Sequence, residues 1–112
     1  MTITEFITQL QEFATGAYLR PEEREYWEAP FDAAALPELE TLLRDYAADV
    51  PVSGVDISDH VLGFYAQLRE FNARHGDAVI EPEEEAEIVA LVQDMWGAPV
   101  PDFADLDASI SE

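Results

Sequence analysis

Apolar residues recur along most of the chain at intervals of three and four, and almost nowhere at intervals of two. In TITEFITQLQEFATGAYL, Ile3, Phe6, Ile7, Leu10, Phe13, Ala14, Ala17 and Tyr18 fall on one side of a helix, which predicts a first helix there. Pro21 suits a first helical position, and Glu22 and Glu23 suit the positive end of the backbone dipole. RPEEREYWEA is therefore predicted to begin a short second helix that Pro30 ends. Leu36, Leu39, Leu42, Leu43, Tyr46, Ala47 and Val50 form a narrow stripe on a third helix opened by Pro37. Glu40 precedes Arg44 by the four residues that suit an exposed ion pair.

VPVSGVDIS holds Pro51 and Gly54 and reads as a loop, or at most a short strand-like passage, leading to Asp56 or Ser58 as the cap of a fourth helix. That helix runs to about Arg74, with Gly76 as its stop signal. Its apolar positions Val61, Leu62, Phe64, Tyr65, Leu68 and Phe71 cover close to half the circumference, which predicts packing against two neighbours. A last helix begins near Pro82 and ends at Gly97. Ile88, Val89, Leu91, Val92, Met95 and Trp96 face inward on it, and Glu83, Glu87 and Asp94 face out. The fold class is thus an all-α, compact single-domain bundle of four main helices plus one short helix, spanning residues 1–98, with an acidic C-terminal tail over 99–112. The tail is expected to be flexible. Its residues Phe103, Leu106 and Ile110 are three and four apart, however, so the alternative is a helix that lays this edge into a groove on its own domain or on a partner.

Composition narrows the function classes. A chain of 112 residues supports one core without staples, and the absence of cysteine removes disulfides, thiolate zinc sites and cysteine nucleophiles together. The longest strongly apolar run, Ile88 to Val92, is far too short to span a bilayer, and a cytoplasmic location is the default expectation. The net charge is −20, and all five basic residues are arginines. Direct binding to nucleic acid or to an anionic membrane is therefore not expected, since each close approach is repulsive; a partner should present a basic protein surface.

Most site chemistry fails on spacing. His60 and His75 are fifteen residues apart on one predicted helix, or about 22 Å, too far for one metal ion. His60 is expected at the edge of the apolar face beside Phe64, and His75 in the last turn, where an imidazolium complements the dipole. DLDASISE has the alternation of a calcium loop, but Ile110 stands at the required glycine position and no closing glutamate follows. No Gly-rich phosphate loop or nucleophile elbow is present, and carboxylate pairs are too abundant here to point to catalysis. No cofactor and no metal are expected. Among the aromatic residues, Trp27 in REYWEAPF and Phe103 in the tail are candidate anchors for a partner, with core packing as the plainer role.

The location of the charge is more informative than its total. Residues 1–20 carry −1, residues 21–50 carry −7, residues 51–76 carry −1, and residues 77–112 carry −11 with no basic residue. The first glutamates of a helix stabilise its free amides and dipole, yet four in five positions exceed that need. The candidate partner-facing surface is accordingly Glu83, Glu84, Glu87 and Asp94 with Asp102 and Asp105. The leading expectation is an interaction protein of inhibitor, antitoxin, immunity or nucleic-acid-mimic type. The alternatives are a carboxylate-based cation-binding protein or small helical enzyme, and a structural subunit whose acidity reflects only salt or genome composition.

Overall fold

In the computed structural model, described for residues 2–16, 19–24, 31–50 and 54–110, the chain is all-helical. The order is α1 (Ile3–Thr15), α2 (Pro21–Arg24), a 3₁₀ turn at Ala33–Ala35, α3 (Leu36–Asp49), α4 (Ile57–Arg74), α5 (Pro82–Trp96) and α6 (Phe103–Ile110). The four main helices are α1, α3, α4 and α5, and local chemistry accounts for most of their ends. The Thr2 hydroxyl accepts from the Glu5 N–H at 3.1 Å, and the Asp56 carboxylate accepts from the Asp59 N–H at 3.1 Å, each satisfying an orphan amide of a first turn. Gly16 and Gly97 stop α1 and α5 at φ 69° and 65°, a left-handed conformation that glycine adopts without steric cost. The first helix is thus shorter than its apolar stripe suggests. Ala17 and Tyr18 lie outside the described residues, as does the second helix beyond Arg24.

The helices pack in sequence order, α1 on α3 and α3 on α4, with the 3₁₀ turn wedged against α1 and α3. Phe6, Leu10, Leu36, Leu39, Leu43, Val61, Tyr65, Leu68, Phe71, Ile88 and Val92 are all closed to solvent and form one continuous core. The body measures 54 × 30 × 19 Å, room for about two helix layers in its thinnest direction. Asn72 is the one buried polar residue described, and it carries the chain from α4 to α5. Its Oδ1 accepts from the N–H groups of Val79 and Ile80 at 3.1 and 2.9 Å, and its Nδ2 donates to the Ile80 carbonyl at 2.8 Å. One amide thereby satisfies three backbone groups that burial would otherwise strand.

The segment after Pro99 departs from the expectation of a flexible tail. Residues 103–110 are helical, and α6 packs on α4. The three-and-four spacing of Phe103 and Leu106 explains this, because both enter the core of their own chain, 4% and 5% exposed. Phe103 stacks on Tyr65 at 4.2 Å between ring centroids, while the Tyr65 hydroxyl donates to the Pro101 carbonyl at 2.7 Å. Phe103 is consequently a core anchor, and the expectation that it could reach a partner is corrected. Among the described residues no helix is long and apolar enough to cross a membrane.

Candidate functional site

The acidic face is built on α5. At about 100° per residue, Glu83, Glu87 and Asp94 fall within roughly 40° of one another, opposite Glu85. Glu83 and Asp94 are exposed, while Glu87 is half-buried and accepts from the Gln9 amide of α1 at 3.5 Å. Glu84 is turned toward the buried line of Ile88 and Leu91. Burial, followed by the charges of Glu81, Glu87 and Glu83, pushes its carboxyl above the usual range. Among the described residues no cation pairs with Glu83, Glu84, Glu87 or Asp94.

The opposite flank of α5 is neutralised. Arg69 on α4 reaches Glu85 at 3.1 Å and holds Asp107 of α6 through both terminal guanidinium nitrogens, at 2.8 and 3.1 Å. The same guanidinium lies 5.4 Å from the centre of the Phe103 ring. Asp102 and Asp105 belong to this side. They cap α6 reciprocally, the Asp105 N–H donating to Asp102 and the Asp102 N–H to Asp105, at 2.9 and 3.0 Å. The six carboxylates of the expected surface therefore divide. Glu83, Glu87 and Asp94 share one outward face with Glu84 at its margin, and Asp102 and Asp105 form a separate cap on the α6 side. Trp27, the other candidate anchor, lies outside the described residues.

The histidines occupy separate surroundings. His75 caps α4 beside Phe71, with Nε2 3.5 Å from a Glu38 oxygen. That carboxylate also takes Arg74 at 3.0 Å, which holds its pKa below the usual range. His60 joins a chain of polar rings that sequence reasoning missed. The Trp96 indole donates to the Tyr46 hydroxyl at 3.0 Å, and the hydroxyl lies 3.0 Å from His60 Nδ1. An indole N–H can only donate, so the hydroxyl accepts from it, while its bond with Nδ1 runs in the direction set by the imidazole tautomer. Burial raises the pKa of the Tyr46 hydroxyl. The apolar stripes locate all three rings, but only tertiary packing brings α3, α4 and α5 together at their polar atoms. Among the described residues no group of three or more histidines and carboxylates is placed to hold a metal ion. No protein family, no curated protein and no solved structure matches the chain.

Proposed function

We propose that the chain is a small acidic interaction protein that presents the outward face of α5, Glu83, Glu87 and Asp94 with Glu84 at its margin, to a basic surface of another protein. The observation that carries this reading is one-sided neutralisation. Arg44 pairs with Glu40, Arg74 with Glu38, and Arg69 with Glu85 and Asp107, so these cations sit on α3 and on the α4–α6 side. Among the described residues Glu81, Glu83, Glu84 and Glu87 have none, and burial, followed by these neighbouring charges, raises the Glu84 pKa. Uncompensated charge of one sign on one face steers an oppositely charged partner and raises its association rate. The same charge opposes direct contact with nucleic acid or an anionic membrane.

The test has two stages. Immobilised protein is used to capture partners from its source cell at low ionic strength, and the captured protein is then purified for kinetics. Replacing Glu83→Gln, Glu87→Gln and Asp94→Asn together is expected to slow association by about tenfold at low salt and to flatten its dependence on salt, with dissociation little changed. An association rate and salt dependence equal to those of the natural chain would place the binding surface elsewhere. A neutral or acidic captured partner would remove the electrostatic reading altogether.

A further inference from the structure

A groove of about 410 Å³ lies between the C-terminal half of α3 and the N-terminal half of α4. Its floor contains Tyr46 and Phe64, stacked at 4.0 Å and nearly parallel. Asp45 and Asp49 of α3 and Asp59 of α4 line it from opposite walls, all exposed, and among the described residues none of them is paired with a cation. Two features of these walls run against local stability. Asp49 stands in the last turn of α3 and Asp45 just before it, where the dipole disfavours negative charge, and the last turn holds no basic residue. Gly63, well inside α4, also lines the groove. Its backbone is ordinary helix, and a Cβ built there meets nothing within 4 Å. Neither a turn nor a close approach requires glycine at a position where it weakens the helix. Its visible consequence is an open groove. Unfavourable local choices that converge on one cavity are expected at a functional site, because helix stability alone selects against both.

We propose that this α3–α4 groove receives an arginine side chain from a basic protein segment. The aliphatic stem packs along Leu42, Tyr46 and Phe64, and the guanidinium lies between the carboxylates of the two walls. Arginine fits better than lysine because its planar fork carries five donors and can bridge acceptors on two helices at once, whereas an ammonium is a point charge. The proposal rests on the reading of the protein as a binder of basic partners. It adds a specificity pocket on a different pair of helices from the α5 face.

The test is an NMR titration of the full chain with an acetylated, amidated Gly-Arg-Gly peptide, run at about 0.15 M salt to screen unspecific attraction. Saturable shifts are expected at Asp45, Asp49, Gly63 and His60, about fivefold weaker with the lysine peptide and absent with the neutral citrulline peptide. Gly63→Leu should fill the groove and abolish these shifts while leaving the melting temperature equal or higher, so lost binding cannot be assigned to lost folding. Asp45→Asn, Asp49→Asn and Asp59→Asn together should weaken binding by about tenfold. The α5 variant Glu83→Gln, Glu87→Gln, Asp94→Asn should leave the shifts unchanged. Shifts that spread over the α5 glutamates, or that persist in Gly63→Leu, overturn the groove; an equal lysine response overturns the choice of arginine. If partner association depends on the α5 face and is indifferent to Gly63→Leu, the groove is excluded and the binder reading stands.

Discussion

The two flanks of α5 use the same residue type to opposite ends. On one, Glu85 meets Arg69, which also holds Asp107, and a carboxylate becomes part of the joint between α4, α5 and α6. On the other, Glu83, Glu87 and Asp94 face outward, and among the described residues only the Glu87 side chain has a hydrogen bond, to Gln9. A glutamate is therefore structural or available for binding according to whether an arginine stands within reach, and α5 places the two kinds half a turn apart. Salt should act on them in opposite senses: it weakens the Arg69 bridges and relieves the repulsion among the outward acids.

The largest effect should come from removing what sets α5 in place, since that disturbs both flanks together. Asn72 satisfies three buried backbone groups at the entry to α5. Asn72→Ala strands them, at roughly 1 to 3 kcal/mol each and not additively, so a loss of about 3 kcal/mol is expected in denaturant unfolding at neutral pH. A loss below about 1 kcal/mol would mean that water or a shifted backbone takes over its role.

Arg69→Gln attacks the neutralised flank alone. Its guanidinium is partly exposed, and each of its two ion pairs is worth about 0.5 kcal/mol after solvent screening, so roughly 1 kcal/mol should be lost. The amides of α6 should exchange faster with solvent in this variant, because Asp107 loses one of its anchors while Phe103 and Leu106 keep theirs. Raising the salt concentration should narrow the gap between the variant and the natural chain.

The helices were legible in the sequence because their ends are fixed by nearby atoms. Pro82, Gly97 and Asp56 act within a turn of where they stand, and the apolar stripes of α3, α4 and α5 point to residues most of which are buried, with Leu42, Leu62, Val89, Met95 and Trp96 half-buried against the core. Gly16 shows the limit of stripe reading, since apolar spacing continues beyond the glycine that stops α1. The tail was legible as pattern and not as destination: the spacing of Phe103 and Leu106 does not say whose groove they fill. Asn72 left a signal, a polar residue on the apolar side of α4 one turn before Gly76, but its partners Val79 and Ile80 became visible only in three dimensions. The outward position of Glu83, Glu87 and Asp94 follows from helical spacing. Which flank of α5 would meet Arg69, and that Asp102 and Asp105 would cap α6, depends on how helices dock, and no periodicity carries that information.

A smaller effect should separate the marginal acid of the α5 face from the fully exposed ones. Burial first, and then the neighbouring glutamates, hold the Glu84 carboxyl above its ordinary pKa. A raised folded-state pKa means that the stabilisation from protonating the group is fully present below the unfolded value, about 4.3, and is lost as pH rises through the folded value. Glu84→Gln should therefore be more stable than the natural chain at neutral pH, by at most about 0.5 kcal/mol given its partial exposure, with the difference closing as pH falls toward 4. Glu38 runs the other way, because Arg74 lowers its pKa and its contribution is lost as pH falls through that lowered value. Melting curves of the natural chain and the Glu84→Gln variant, compared across pH, isolate the first effect from the second.

The smallest stability change should follow the largest change in surface charge. Glu83→Gln, Glu87→Gln and Asp94→Asn remove three negative charges from a helix whose packing is made by Ile88, Leu91 and Val92. Losing the favourable dipole interaction at Glu83 costs a few tenths of a kcal/mol, and removing the unfavourable one at Asp94 in the last turn, with the relief of like-charge repulsion, returns a similar amount. The net change at neutral pH should thus stay within about 0.5 kcal/mol of zero. Salt then distinguishes the flanks. The natural chain should melt higher as salt is raised from low to moderate levels, because the relief of outward repulsion outweighs the weakening of a few exposed ion pairs, and the triple variant should respond less. A triple variant destabilised by more than about 1 kcal/mol, or one with an unchanged salt response, would show that these carboxylates help hold α5 in place. The contrast between the two flanks would then disappear, and with it the electrostatic reason to regard this face as a docking surface.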